Sequence, residues 1–311
     1  MSAPWIELNN VQLSRGGRPV LQGITASLSG RAIGLVGVNG SGKSTLIGAL
    51  LGVLRAHTGS IKILGRSIPE EAMEVRARAG VMAEQAGIFP GGSGVDAVTF
   101  AGTLSGLPRR ESLRRAHRAL DALDVGEDRY RPTKGYSTGM RQRCKLAMSL
   151  VHGPEILILD EPTVGLDPKG RMQLLSLIRD LRDEGRKILL STHILQDAEF
   201  LCDDLLLLEA GTISYFGPVA NLTKAGTRQY VAEGTGFVDD FIQSLKGAGM
   251  EILHFTNNRL SFLARNDDDL RLFWQAAAER NVEIRQLSRE IATLEDAVVD
   301  VMEQNMVRNN V

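Results

Sequence analysis

Residues 37–45 read Gly-Val-Asn-Gly-Ser-Gly-Lys-Ser-Thr. The stretch fits the pattern G-x-x-x-x-G-K-[S/T]. An aliphatic strand-like run at 33–36 precedes it and a helix-period segment over 43–54 follows it. Strand, glycine turn and helix in that order are the setting in which such a pattern holds phosphate. Gly37, Gly40 and Gly42 let backbone N–H groups turn inward, and the helix start adds its positive dipole end. Asn39, Ser41 and Thr45 complete the loop and the first helical turn. Lys43 would reach the β- and γ-phosphates of a nucleotide, and the Ser44 hydroxyl would coordinate Mg2+.

A second signal is the apolar run 156–159, which ends in Asp160-Glu161. A carboxylate at the C-terminal end of a buried strand suits the magnesium shell of such a site. Glu161, one residue further, is a candidate general base for water. Short aliphatic runs alternate with helical stretches as far as residue 217, which argues for an α/β unit with a largely parallel sheet covered on both faces. The expected helices include 104–124, with Leu113, Ala116, Leu120 and Leu123 on one face, and 141–152. The runs 205–209 and 212–216 read as a hairpin across Ala210-Gly211.

Composition narrows the function classes. Lys and Arg total 36 against 37 Asp and Glu, so there is no basic surplus of the kind nucleic-acid binders carry. At 311 residues a soft prior of two domains applies, taking about 150 residues per domain. Two cysteines, Cys144 and Cys202, cannot build a disulfide framework or a zinc site and are expected as buried apolar groups. The amino-terminal residues show no secretory signal pattern. No apolar run approaches the roughly 18 residues a membrane span needs.

Further stretches carry a resemblance to a known family. Residues 136–143, Tyr-Ser-Thr-Gly-Met-Arg-Gln-Arg, resemble the signature segment of ABC-type ATPases. Asp160-Glu161-Pro162-Thr163 is similar to their Walker B with its glutamate, Gly165-Leu166-Asp167-Pro168 to the D-loop, and Ser191-Thr192-His193 to the switch-histidine strand. The motifs stand in the family's order over the first two thirds of the chain. The resemblance implies a P-loop NTPase domain with a helical subdomain at about 86–152, hydrolysing Mg·ATP. It implies Glu161 as the base and His193, 32 residues beyond it, as a γ-phosphate sensor. It also implies a second copy of the subunit packed head to tail, with Ser137 and Gly139 of one chain facing the γ-phosphate held by the other, and a separate membrane permease. The subunit would then sit in the cytoplasm, on the inner face of the membrane.

Some positions depart from that pattern. Thr138 and Met140 stand where the signature usually has glycine and glutamine. The Q-loop position falls on Glu84 with Gln85 next to it, and either could reach magnesium and the attacking water. The adenine-stacking aromatic is replaced by Arg15, whose guanidinium plane could serve instead. Trp5 and Phe89 are expected in core or interface positions. The rival reading is a soluble ABC-type ATPase acting on ribosomes or DNA. One phosphate loop, a short helical stretch before the signature and the balanced charge speak against it.

Beyond a linker at 221–227, residues 228–311 alternate in the order β-α-β-β-α-β of a ferredoxin-like α+β unit. Its helix 268–280 is expected to turn Leu270, Phe273, Trp274 and Ala277 inward. The unit resembles the accessory domain of ABC-2-type exporter ATPases. A last helix over 294–302 gathers Leu294, Ala297, Val298, Val301 and Met302 on one face, which could cap its own sheet or contact a second subunit.

Overall fold

The computed structural model describes residues 3–84, 87–88, 92–223, 228–264, 266–290, 294–295 and 297–298. The chain divides into two compact units, Met1–Val219 and Ala220–Val311. The first contains, in chain order, β1 (Ile6–Arg15), β2 (Arg18–Leu28), β3 (Ala32–Val36), α1 (Lys43–Leu50), β4 (Thr58–Ile63), β5 (Arg66–Ile68), α2 (Ala72–Ala77) and β6 (Ala79–Met82). There follow α3 (Gly94–Leu104), α4 (Arg109–Ala122), α5 (Thr138–Leu150), β7 (Ile156–Asp160), α6 (Pro168–Asp183), β8 (Lys187–Thr192), α7 (Leu195–Leu201), β9 (Asp204–Glu209) and β10 (Thr212–Pro218), and α8 (Val219–Thr223) carries the chain into the second unit.

A six-stranded sheet runs β10-β9-β3-β8-β7-β6. All its pairings are parallel except that of β10, which returns on β9 as a hairpin. Ala210 and Gly211 both take positive φ at that turn, which a two-residue hairpin of this twist requires. Strands β3 and β7 are buried along their whole length, in keeping with their unbroken aliphatic sequence.

A second, antiparallel sheet has the order β2-β1-β4-β5, and the sequence pattern, which marks a strand at 61–64, does not mark β1 and β2. The reason lies in its irregularity. The β1–β2 register shifts between Leu8 and Val11, and Asn10 sits at φ 48°. Such a bulge breaks the two-residue alternation that marks a strand in sequence. Both sheets share one core, from Trp5 and Val11 through Leu35 and Leu46 to Leu208.

The expected helix over 104–124 is two elements. Pro108 caps α4 and Gly106 takes φ 87°, so the chain turns between α3 and α4. Ser93 and Asp96 form a capping box that starts α3. The buried face of α4 carries Ser112, Ala116 and Leu120, with Leu123 just beyond, while Leu113 is 44% exposed. Both cysteines are buried, and burial pushes the Cys144 thiol up to about 12.

The second unit contains β11 (Arg228–Thr235), α9 (Asp239–Gly247), β12 (Glu251–Thr256), β13 (Arg259–Ala264), α10 (Asp267–Glu279) and β14 (Glu283–Glu290). Its antiparallel sheet has the order β12-β13-β11-β14, the strand order of the ferredoxin-like unit. Phe237, Phe241, Phe262 and Phe273 fill the core, with Phe262 and Phe273 stacked at 4.6 Å between ring centroids. Trp274, expected inward, is 48% exposed and meets Phe273 by its edge. The expected linker begins as helix, since α8 runs to Thr223 and buries Leu222. Of the last helix, Leu294, Ala297 and Val298 are buried within the single chain, so that part of its apolar face is not free. Val301 and Met302 lie outside the described residues.

Candidate functional site

Strand β3 delivers the chain into the glycine turn, and α1 leads it away. A Cβ at Gly37 would collide with the Leu208 carbonyl oxygen and the Ser41 hydroxyl, so only glycine lets the loop pass β9. Gly40 and Gly42 take φ values of 83° and 112°, which side chains disfavour. The loop is fastened by Ser41 N–H donating to the Val38 carbonyl at 3.1 Å, and by Gly211 N–H donating to the Ser41 carbonyl at 3.1 Å.

The parallel register of β3, β8 and β7 then gathers residues from three separate segments. Lys43 Nζ, buried, donates to the carbonyls of Gly37 at 2.7 Å and Val38 at 3.3 Å, and lies 3.7 Å from Glu161 Oε1. Ser44 Oγ donates to Asp160 Oδ2 at 3.2 Å. His193 Nδ1, at the end of β8, lies 2.9 Å from the other Glu161 oxygen, the geometry of an imidazole N–H donated to a carboxylate. Glu161 is 5% exposed and is held at φ 51°, with its N–H donated to the Ser191 carbonyl at 2.9 Å. A bulky residue at positive φ is strained, and such strain concentrates at working sites.

Lys43, Ser44, Asp160 and Glu161 line a cleft of about 390 Å³ together with Asn39, Gly40, Gly42, Thr45, Glu84 and Val20, and His193 joins it through Glu161. The donor set fits a small hard cation. Asp160 Oδ1 is buried with no protein partner, and the Ser44 hydroxyl stands against the other oxygen. Among the described residues there is no larger cluster of metal-ligating side chains. Magnesium commonly takes one or two protein oxygens and completes its shell with phosphate and water.

The remaining sequence candidates fall elsewhere. Glu84 lines the cleft, and its carbonyl accepts from Lys145 Nζ at 2.9 Å. Burial, with Arg141 nearby, holds the Lys145 ammonium below the usual lysine range. Gln85 and Phe89 lie outside the described residues, and Trp5 is a core residue. Arg15 is exposed at the turn of the β1–β2 hairpin and is not part of the cleft lining; Val20 of the same hairpin is. Ser137 caps α5 by accepting from Met140 N–H at 3.3 Å. Ser137 and Gly139 face a different cavity, of about 460 Å³, shared with the D-loop residues Gly165, Leu166 and Asp167. The phosphate loop, Asp160-Glu161, Glu84 and His193 therefore meet within one chain, and the signature does not join them.

Two further features escape sequence reading. Val20 in the cleft is one. The other is a buried carboxylate, Asp197 of α7, which accepts from the Thr163 hydroxyl at 2.5 Å and from Arg171 Nε at 2.5 Å. Nothing in the local sequence of any of the three signals the meeting.

The ABC transporter family profile matches residues 21–164. The linearmycin resistance ATP-binding protein LnrL of Bacillus subtilis is 30% identical over 218 residues, which is 70% of this chain and 70% of LnrL. The chain belongs to the ABC transporter family. The Nod factor export ATP-binding protein I of Ralstonia nicotianae is 33% identical over 211 residues, 68% of this chain and 66% of that protein. Among solved structures, cbiO1 from Clostridium perfringens, part of the ABC transporter complex cbiONQ, superposes with a TM-score of 0.65. It is 26% identical and covers 72% of this chain and 92% of its own. This ABC subunit binds ATP and hydrolyses it, and its nucleotide domain has the family's P-loop fold. Among the described residues no helix is long and apolar enough to cross a membrane.

Proposed function

We propose that this chain is the ATPase subunit of an ABC exporter, working as a head-to-tail homodimer on the cytoplasmic face of a separate membrane permease. The observation that carries the proposal is the arrangement around Glu161. Its carboxylate lies between the Lys43 ammonium and the His193 imidazole, beside the Ser44–Asp160 pair. The signature residues open onto another cavity, so a cleft completed by the signature needs a second chain.

In this reading the backbone N–H groups of residues 37–44 surround the phosphates, and Lys43 exchanges the Gly37 and Val38 carbonyls for the β- and γ-phosphate oxygens. Ser44 and Asp160 would hold Mg2+, which offsets phosphate charge when bound. Glu161 orients water and accepts its proton, while His193 keeps the Glu161 carboxylate in place and reads the γ-phosphate. Ser137 and the α5 N-terminus of the partner offer donors to the same γ-phosphate. ATP thereby joins two subunits, and loss of the γ-phosphate lets them part. Either Glu84 or Gln85 serves the Q-loop role. Arg15 is proposed for adenine, supported by its place on the hairpin that also brings Val20 to the cleft. Relatives named for drug resistance and for Nod factor export support an export role.

The deciding experiment separates binding from turnover. Lys43→Ala should lose most ATP binding. Glu161→Gln should bind ATP as the wild type does, while kcat falls by about 10²- to 10⁴-fold and an ATP-bound dimer accumulates in light scattering. Equal turnover in Glu161→Gln and wild type would remove Glu161 from the role of base.

A further inference from the structure

The buried Asp197 lies outside the reaction described above, yet it touches both halves of the catalytic pair's surroundings. Thr163, one of its partners, stands two residues after Glu161, and Asp197 itself stands four residues after His193. The loops that leave β7 and β8 run side by side. They are joined at their base by Glu161 N–H to the Ser191 carbonyl, and further out by the Thr163–Asp197 hydrogen bond. Asp197 is fully buried, and both of its oxygens are engaged. A carboxylate without water tolerates no loss of partners, so its two donors are held firmly to it.

The two donors bracket the D-loop. Thr163 precedes it, Arg171 follows it in the first turn of α6, and residues 164–170, with the D-loop at 165–168, lie between. A third tie reaches the same loop from the signature helix α5, where Gln142 Nε2 donates to the Val164 carbonyl at 3.3 Å. A displacement of the D-loop or of α5 is thus delivered to Asp197, and through the short helix α7 to His193.

We infer that Asp197 is a positioning residue for ATP hydrolysis. With Thr163 and Arg171 it clamps both ends of the D-loop to the segment that carries His193, and so sets the Glu161–His193 contact according to where the D-loop lies. The inference rests on the reading of Glu161 and His193 given above. It predicts a KM-against-kcat split, because the clamp touches neither ATP nor the phosphate loop. A misplacement of reacting groups by about 1 Å can cost up to about a hundredfold in rate.

The test uses the full chain and four variants, Glu161→Gln, Thr163→Val, Thr163→Ser and Asp197→Asn. Thr163→Val keeps the shape and removes only the hydroxyl. It should lower kcat by about tenfold or more while KM for ATP stays within about twofold of wild type. Thr163→Ser, which keeps the donor, should recover most of the rate. Asp197→Asn, which also weakens the Arg171 pair, should lower kcat at least as far as Thr163→Val, and in the double variant the two losses should not add in full. The inference is overturned if Thr163→Val has wild-type kcat, whatever its Tm. It is also overturned if Thr163→Ser is as slow as Thr163→Val, or if kcat and KM deteriorate together. An active Glu161→Gln would instead remove the base assignment on which the inference stands. A slow Glu161→Gln beside a fully active Thr163→Val would remove the Asp197 role alone.

Discussion

Glu161 shows how a single residue's backbone can serve a site. Strand β7 must end at Asp160 so that the aspartate faces Ser44, and the next side chain has to turn back toward Lys43 and His193. Only a left-handed residue makes that turn within one step, and Glu161 takes it at φ 51°. The strain is held by its N–H bond to Ser191 and by its contacts with Lys43 and His193. Arg15 is the contrasting case, exposed and free of such constraint. If its guanidinium stacks on adenine, Arg15→Ala should weaken ATP binding by about two- to fivefold, and Arg15→Tyr should recover it. Calorimetric titration with ATP and GTP reads this directly. An alanine variant with unchanged ATP affinity leaves Val20 as the contact from that hairpin.

Among the elements, α4 shows how periodicity finds a face yet misplaces one residue of it, since Ala116, Leu120 and Leu123 are buried and Leu113 is not. Leu113 and Leu120 both fit an apolar stripe when 104–124 is taken as one helix. Pro108 starts a new helix instead, and packing against α3 and α5 selects Ser112, Ala116 and Leu120. Leu120→Ala should therefore cost about 2–5 kcal/mol of stability, whereas Leu113→Ala should stay within about 0.5 kcal/mol. Denaturant unfolding of the two variants decides it, and equal costs would contradict the assignment of the face. The core strands β3 and β7 and the β9–β10 hairpin were readable because their signals are local: continuous aliphatic runs, and a turn dipeptide that accepts positive φ. Strands β1 and β2 were not, because bulges interrupt their alternation and the residues that bury them come from β4 and the parallel sheet.

At the scale of the molecule, the two units have separate cores, one aliphatic and one built on four phenylalanines. A chain ending at residue 226 should then fold and bind ATP within about twofold of the full protein, as read by calorimetric titration. Loss of binding would show that the first unit depends on the second. Because Leu294, Ala297 and Val298 are already buried in one chain, that part of the terminal helix gives no reason to expect the truncation to change the oligomeric state. The phosphate loop, the Asp160-Glu161 pair and His193 could be read from the residues alone, because their chemistry is carried by short contiguous segments at the ends of strands. A loop of glycines before a helix start binds phosphate wherever it occurs, and adjacent parallel strands bring their C-terminal ends to one edge. The tertiary structure alone decided the rest. It set which residue of the β1–β2 hairpin lines the cleft, kept the signature out of the chain's own cleft, and brought Thr163 and Arg171 to Asp197. These are contacts between side chains 26 and 34 residues apart in sequence, and their partners are chosen by the packing of α6 and α7 on the sheet, which no local pattern encodes.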